Sequence, residues 1–269
     1  MHYDIGTVPT NPPENNSTMR NIRVNPKYEH LREFICRLPE RMDDEGTYIY
    51  GGRRNLIKMF VAPDGTQLNV KRYKTLAFPS NIVYSTGIRK PKGERAYTYP
   101  ALLLEKGIET PEAVAYIEDR TSGLLRKSWF ISIQCPYSHM LYEMGNAKEE
   151  EYAPMALALA AYAAYMHDQQ VLHLDFSPGN VLWEKTDGKY LFSIVDINRM
   201  RFGKVSMGEG CRSFARLWGP KHFLQLLVRE YARLRHFDAD TAEQCLMEER
   251  KRFWPHYMKK REMEFKLEL

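Results

Sequence analysis

The chain has 269 residues, which is long enough to bury a sizeable core and suits a single domain better than two unrelated ones. Its 39 Lys and Arg residues against 34 Asp and Glu give a formal net charge of +5, which fits anionic partners such as a nucleotide, a phosphorylated sugar or an acidic membrane surface without selecting among them. Four scattered cysteines, and no run near the roughly 20 apolar residues of a spanning helix, argue against a disulfide scaffold, a zinc site and an integral membrane protein.

The first 20 residues are rich in Pro, Asn and Thr and lack periodicity, which indicates an extended or mobile leader. They show no basic segment followed by an apolar run, so we expect no secretory signal and a reducing, cytoplasmic setting. From Pro26, apolar residues recur at helical intervals as far as Leu38 and predict an amphipathic helix that ends near Pro39.

A β-hairpin is predicted over residues 47–62. Strand patterns at 47–50 and 56–62 flank a turn that contains Gly51 and Gly52. A glycine turn lets backbone N–H groups approach a phosphate closely, but it is also an ordinary hairpin turn. The turn alone does not decide between these interpretations.

The next predicted strand, 66–73, carries a candidate phosphate-binding lysine. Because side chains alternate along a strand, Lys71 shares a face with Asn69 and Tyr73. Lys58, Arg72 and Lys74 are the rival candidates.

A long loop is predicted over 74–92 and a helix over 93–106, followed by strands at 113–117 and 129–134. Residues 135–139 are predicted to be a hinge to a mainly helical region. There, a helix begins at Glu149, where acidic side chains favour the positive end of the helix dipole. His167, near the end of this helix, is predicted to cap or pack rather than to catalyse.

The most informative stretch is HLDFSPGN at 173–180, followed by two strands and Asp196. It reads H-x-D-x-x-x-x-N, strand, turn, strand, Asp. One loop thereby presents Asp175, which can orient and deprotonate a hydroxyl. It also presents Asn180, which with Asp196 can coordinate Mg²⁺ beside a nucleotide. This spacing is typical of the catalytic loop of the protein-kinase-like fold, in which His173 supports the loop from behind.

The loop departs from the protein-kinase form at Leu174 in place of Arg, Ser177 in place of Lys, and Asn198 in place of the Gly of D-F-G. Together, HLDFSPGNVLW and VDINRMRF resemble the lipopolysaccharide core kinase family, which phosphorylates Kdo or heptose sugars. The resemblance runs from about residue 46 to residue 201. It implies an α+β, bilobal protein-kinase-like fold: a small antiparallel-sheet lobe with one key helix over about 21–134, a hinge at about 135–139, and a larger, mainly helical lobe over about 140–269.

The resemblance also implies that the cofactors are ATP and Mg²⁺, and it assigns roles to six residues: phosphate cover by Gly51 and Gly52, binding of the α/β-phosphates by Lys71, metal binding by Asn180 and Asp196, and orientation of the acceptor hydroxyl by Asp175. Glu94 is the candidate carboxylate that pairs with Lys71. Counting back from Gly107 by the spacing of more distant kinases places Ala96 at that position instead, and Pro100 interrupts the helix.

The implied acceptor is a Kdo or heptose hydroxyl of the lipopolysaccharide core at the cytoplasmic face of the inner membrane. A protein kinase acting on Ser, Thr or Tyr is the first alternative, weakened by Ser177. A pseudokinase scaffold is the second, weakened by the intact Asp175, Asn180 and Asp196. We expect no nucleic-acid partner, and the oligomeric state stays open.

Two expectations concern the rest of the chain. No A-P-E signature and no Ser/Thr/Tyr-rich activation segment follows Asp196, so we expect activity without loop phosphorylation. The tail, 248–269, is dense in Lys, Arg and Glu with interspersed aromatics, which indicates a solvated terminal helix or, alternatively, a peripheral membrane contact.

Overall fold

The computed structural model describes residues 18–51, 55–74, 80–85, 90–259 and 264–269. Within these ranges the small lobe is built on an antiparallel sheet of six strands in the order β1-β5-β6-β4-β3-β2. The strands are β1 (Thr18–Val24), β2 (Thr47–Gly51), β3 (Asn55–Val61), β4 (Gln67–Tyr73), β5 (Ala113–Thr121) and β6 (Leu124–Ile133).

Strand β1 corrects the predicted leader. It pairs with β5 from Thr18 opposite Thr121 to Val24 opposite Ala115, so residues 18–20 belong to the sheet. Most of β1 is exposed, and the strand lacks the apolar alternation that would have marked it. The rest of the predicted leader, residues 1–17, lies outside the described residues.

The predicted helix after Pro26 is present but begins as a 3-10 turn. Asn25 caps the turn Pro26–Leu31, which continues into α1 (Arg32–Arg41). Ile35 and Leu38 of α1 are fully buried against the sheet, in one cluster with Val70 of β4. Helix α1 thereby covers one face of the small-lobe sheet.

Helix α3 (Lys92–Glu105) begins within one residue of the predicted start, and a short helix, α2 (Ser80–Ser85), lies within the predicted loop. The buried residues of α3 are Gly93, Ala96, Pro100 and Leu103, on one face. Leu103 belongs to the same apolar cluster as the large-lobe helices. Helix α3 therefore connects the two lobes, and its inward face carries no acidic residue.

The large lobe packs around α4 (Glu149–Asp168), in which Ala156, Ala160 and Ala163 are fully buried. These small side chains let α6 (Lys221–Leu234) pack closely on α4. The other elements are β7 (His139–Met140), β8 (Val171–His173), β9 (Val181–Thr186), β10 (Lys189–Ile194), β11 (Met200–Phe202), α5 (Met207–Phe214) and α7 (Ala239–Met258). None of the helices in the described ranges has the length and apolar character needed to cross a membrane.

The C-terminal tail differs from the predicted terminal helix. Helix α7 ends at Met258, and the final described residues fold back onto the large lobe. Phe265 is buried and stacks on Trp218 with ring centroids 4.8 Å apart, and the Asn146 side chain donates a hydrogen bond to the Glu264 carbonyl at 3.1 Å. Phe265 is thus part of the core rather than of a free amphipathic surface.

Candidate active site

The loop 173–180 is fixed to the residue that precedes Asp196. The His173 Nε2–H donates to the Val195 carbonyl at 3.0 Å, and its Nδ1 accepts from the Asp175 backbone N–H at 3.0 Å. The Val195 N–H in turn donates to the Asn180 carbonyl at 2.9 Å. Because Nδ1 accepts a hydrogen bond, it carries no proton and the ring is neutral; burial also lowers the pKa of His173, and each ring nitrogen has one partner. His173 therefore supports the loop from behind, as the sequence predicted.

The carboxylate of Asp175 lies between two arginines. Arg216 Nη1 donates to its Oδ1, and Arg199 Nη1 lies 3.4 Å from its Oδ2. Arg199 follows Asp196 closely in the chain, whereas Arg216 comes from the segment after α5. The candidate general base is therefore neighboured by positive charge on both oxygens.

Asp196 and Lys71 meet across the two lobes. The Lys71 ammonium donates to Asp196 Oδ1 at 2.5 Å, although the residues are 125 positions apart. Burial acts to raise the pKa of Asp196, but the charge of Lys71 and its hydrogen bond outweigh it and hold that pKa below its ordinary value. Lys71 is itself buried and lies 5.4 Å from the centre of the Tyr73 ring.

Asn198, which replaces the Gly of D-F-G, contacts the Asp196 carboxylate. Its side-chain amide donates to Asp196 Oδ1, the same oxygen that accepts from Lys71. Among the described residues Asp196 Oδ2 has no hydrogen-bond partner, so one carboxylate oxygen stays available. A glycine at this position could not supply that side-chain contact.

The donor set at Asn180 and Asp196 fits Mg²⁺. The side-chain Nδ2 of Asn180 donates to the Asp175 backbone carbonyl at 2.9 Å. The side-chain Oδ1 of Asn180 is then left to bind a ligand. That oxygen and Asp196 Oδ2 are hard ligands of the kind Mg²⁺ prefers. Within the described ranges, no cluster of three or more His, Cys, Asp or Glu residues suggests a different metal site.

The predicted pair of Lys71 with Glu94 is wrong in this structure. Glu94 lies on the first turn of α3 and accepts a hydrogen bond from Arg23 of β1 at 3.3 Å, while the ion-pair partner of Lys71 is Asp196. The helix presents Gly93 and Ala96 to the interior, and Glu94, between them in the chain, pairs with Arg23. The alternative count placed Ala96 at the pairing position; Ala96 is buried on the inward face of the helix but has no carboxylate to pair with Lys71.

The predicted glycine turn is described only in part. Gly51 ends β2 opposite Leu56 of β3, and its carbonyl accepts from the Tyr48 hydroxyl at 3.2 Å. Gly52 lies outside the described residues. The structure therefore places the hairpin where the sequence predicted it and leaves the phosphate-cover role as a prediction.

Arg199 and Arg216 are the site residues that the sequence reasoning missed. Arg216 is 41 residues from Asp175 and follows an ordinary amphipathic helix, so no local pattern marks it. Arg199 stands directly after Asn198, where one basic residue among several gave no distinct signal. Only the folded chain brings both to Asp175.

No protein-family model and no curated protein sequence matches this chain. Solved structures match it in fold. WaaP in complex with acyl carrier protein aligns with a TM-score of 0.54 at 17% identity, over 87% of this chain and 99% of that chain. The chain thus has the α+β, bilobal protein-kinase-like fold expected from its motifs.

Two weaker matches accompany it. The Rio2 kinase from Chaetomium thermophilum, in an ADP/Mg²⁺-phosphoaspartate complex, gives a TM-score of 0.47 at 14% identity, over 87% of this chain and 78% of that chain. A double mutant of the PknI kinase domain from Mycobacterium tuberculosis gives 0.44 at 14% identity, over 76% and 94% of the two chains.

Proposed function

We propose that this protein is an ATP- and Mg²⁺-dependent phosphotransferase whose acceptor is a sugar hydroxyl, Kdo or heptose, of the lipopolysaccharide core. The observation that carries the proposal is the convergence of four side chains from both lobes. Lys71 reaches Asp196 at 2.5 Å, and Asp196 adjoins the loop that carries Asp175 and Asn180 through the Val195 backbone bonds.

The residues divide into a nucleotide side and an acceptor side. Lys71 is held in a buried position from which its ammonium can contact the α/β-phosphates. Asp175 orients the acceptor hydroxyl and takes its proton. Asn180 and Asp196 would hold Mg²⁺, which supplies neutralising charge at the phosphates. Positioning and charge neutralisation dominate the rate enhancement, since phosphoryl transfer needs little covalent participation by the protein.

The acceptor assignment rests on the motifs HLDFSPGNVLW and VDINRMRF and on the fold shared with WaaP. A net charge of +5 favours an anionic acceptor or an acidic surface. We place the reaction in the cytoplasm, with the acceptor reached at the inner face of the membrane by peripheral contact.

The test is a labelling experiment. The purified chain is incubated with γ-labelled ATP, Mg²⁺ and separated fractions of lipopolysaccharide core sugars, other lipids and proteins, and the labelled product is identified. Transfer to a core sugar supports the proposal, and label on Ser, Thr or Tyr replaces the sugar with a protein acceptor. An absence of both transfer and Mg²⁺–ATP binding would leave a pseudokinase scaffold. The matched control is Asp175→Asn, which keeps the side-chain shape but removes the anionic base.

A further inference from the structure

We propose that Arg216 is a catalytic residue that binds the transferred phosphoryl group and supplies the positive charge that a lysine at the position of Ser177 supplies in protein kinases. The inference rests on the proposed phosphotransfer and adds a residue that the motifs do not contain. It assigns a role to a side chain from outside the catalytic loop, the metal-binding segment and the small-lobe sheet.

The chemistry requires a cation at this place. The transferred phosphoryl group carries negative charge on three equatorial oxygens while it passes from ATP to the acceptor. On the nucleotide side, Lys71 provides positive charge. On the acceptor side, the loop contributes Ser177, a neutral residue, at the position where protein kinases carry a lysine. Without another cation, the acceptor side would present Asp175 alone to a developing anion.

Arg216 meets the requirement by position. Its Nη1 donates to Asp175 Oδ1, so the guanidinium lies next to the carboxylate that orients the acceptor hydroxyl. When an acceptor hydroxyl bound to Asp175 attacks phosphorus, the equatorial phosphoryl oxygens come within about one hydrogen-bond length of the Arg216 guanidinium. The Arg216 side chain is 38% exposed, and among the described contacts its hydrogen bonding uses Nη1 only. Further N–H donors remain for the phosphoryl oxygens.

The segment that carries Arg216 is held on both sides by α7. Arg250 Nη1 donates to the Leu217 carbonyl at 2.8 Å and to the Ala215 carbonyl at 3.2 Å, and the Trp254 indole N–H donates to the Ala215 carbonyl at 3.0 Å. Arg250 and Trp254 are fully buried. Buried donors on the carbonyls before and after Arg216 fix its backbone, which is the preorganisation that electrostatic stabilisation needs.

The side chain of Arg216 is also restrained. Its guanidinium lies over the ring of Phe253, 5.2 Å from the centroid. Arg199 is less suited to binding the phosphoryl group, because its Nη1 is 3.4 Å from Asp175 and its side chain is 47% exposed. We therefore assign the main charge to Arg216 and a weaker screening effect to Arg199.

The transfer step needs no reactant beyond ATP and the acceptor. The acceptor O–H gives its proton to the Asp175 carboxylate, the acceptor oxygen forms a bond to the γ-phosphorus, and the bond from that phosphorus to the β,γ-bridging oxygen breaks, leaving ADP. Arg216 forms and breaks no covalent bond. Its N–H groups neutralise the equatorial oxygens during transfer, so its effect appears in the rate and not in nucleotide affinity.

The experiment uses Mg²⁺–ATP alone, with water as the acceptor, so the sugar need not be known. Release of labelled phosphate and affinity for Mg²⁺–ATP are measured for the full chain and for Arg216→Ala, Arg216→Lys and the double variant Arg216→Ala/Ser177→Lys. We expect Arg216→Ala to lower hydrolysis by about a hundredfold with nucleotide affinity nearly unchanged, as for other lost transition-state donors. Arg216→Lys should keep part of the rate. The double variant should hydrolyse ATP about tenfold faster than Arg216→Ala, because a lysine at position 177 can supply the same charge from the loop.

A second measurement needs no turnover. The affinity for Mg²⁺–ADP is compared with and without aluminium fluoride, which mimics the phosphoryl group in transfer. Wild type should bind the fluoride complex more tightly, and Arg216→Ala should lose at least about tenfold of that gain while keeping its affinity for Mg²⁺–ADP. Arg212→Ala is the matched control, since Arg212 carries the same charge on nearby α5 and contacts Glu249 outside the site.

The outcomes separate the two proposals. A wild-type chain that does not bind Mg²⁺–ATP contradicts the phosphotransferase proposal itself. If wild type binds Mg²⁺–ATP and Arg216→Ala equals it in hydrolysis and fluoride affinity, the proposed role of Arg216 is overturned. Arg216 would then bind the acceptor or make only a structural contact. A loss of hydrolysis in Arg216→Ala that the added Ser177→Lys does not restore, and that Arg216→Lys shares in full, contradicts a role based on charge.

Discussion

At the scale of single residues, Asp175 and Asp196 are the same amino acid in two different settings. Asp196 has a left-handed backbone with φ of +53°, which Asp adopts at lower cost than most residues. Its side chain faces Lys71 and Asn198, whereas Asp175 faces two arginines. The sequence predicted both as functional, but the arginines came from segments with no local signal.

The first prediction separates these two carboxylates. Asp175→Asn should preserve Mg²⁺–ATP binding and lower turnover by roughly a hundredfold or more, because the amide cannot accept the hydroxyl proton. Asp196→Asn should lower both the affinity for Mg²⁺–ATP and the turnover, because a neutral amide binds Mg²⁺ less well than a carboxylate. Nucleotide titrations with and without Mg²⁺, beside turnover assays, check this. The reverse pattern, with binding lost in Asp175→Asn and kept in Asp196→Asn, would contradict the roles.

The second prediction concerns His167, whose ring the structure buries. Tyr231 accepts from Arg235 at 2.8 Å and is 2.9 Å from His167 Nδ1, so its hydroxyl donates to that nitrogen. Burial, with the charge of Arg235, lowers the pKa of His167 to about 3. Between that value and the ordinary histidine pKa of about 6.5, the unfolded chain binds a proton that the folded chain does not. Stability therefore falls as the pH falls through this window.

His167→Gln should consequently flatten the pH dependence of stability. One proton corresponds to a slope of about 1.4 kcal/mol per pH unit, so the variant should lose roughly that slope between pH 6 and pH 4.5. Urea unfolding at several pH values measures it. The same substitution at exposed His256 controls for the loss of an imidazole. An unchanged slope in His167→Gln would show that other groups set the acid sensitivity.

At the scale of elements, the sequence predicted those with a clear start signal or a long apolar run and missed those without one. The alanine-rich α4 begins at Glu149 as predicted, and α3 begins within one residue of its predicted start. Strand β1 was missed because its exposed residues show no alternation. That omission also explains the error at Glu94, since its partner Arg23 lies on β1. The register of a helix interrupted by Pro100 could not be read from local pattern.

The third prediction tests the register of α3. A Cβ added at Gly93 would lie 2.5 Å from the Tyr116 ring, and that tyrosine is buried with its hydroxyl bonded to Glu118 at 2.7 Å. Helix propensity favours Ala over Gly by about 1 kcal/mol at most, while overpacking costs about 1–3 kcal/mol. Gly93→Ala should therefore be net destabilising in urea unfolding.

Gly208 provides the matched comparison for Gly93. It lies in α5, and a Cβ added there meets no atom within 4 Å. Gly208→Ala should stabilise the protein by about 0.5–1 kcal/mol, because propensity acts without a clash. The same Gly→Ala substitution should thus lower the free energy of unfolding at Gly93 and raise it at Gly208. Stabilisation by both would mean that Gly93 does not face Tyr116.

At the scale of the whole molecule, several contacts join the lobes, and two of them bear on the candidate site. Helix α3 contributes Leu103 to the large-lobe core, and Lys71 of the small lobe is paired with Asp196 of the large lobe. The fold could be predicted from sequence motifs, whereas the pairing of Lys71 with Asp196 could not. The charge arrangement around Asp175 and the return of Phe265 onto Trp218 depend on contacts between segments far apart in the chain, which no local pattern encodes.

The last prediction concerns how nucleotide stabilises this two-lobed arrangement. In the free protein the Lys71 ammonium is satisfied by Asp196 at 2.5 Å. ATP without metal would bring its phosphates toward the Asp196 carboxylate and be repelled, whereas Mg²⁺ at Asp196 would turn that repulsion into attraction and leave Lys71 free to contact phosphate. A ligand at a hundred times its Kd adds about 2.7 kcal/mol to stability, which corresponds to a rise in melting temperature of roughly 5–10 °C. Mg²⁺–ATP should therefore raise the melting temperature by several degrees more than ATP with a chelator.

Mg²⁺ alone and Lys71→Met are the controls, the first for metal binding without nucleotide and the second for loss of the phosphate contact. Equal shifts with and without Mg²⁺ would mean that Asp196 does not act through a metal.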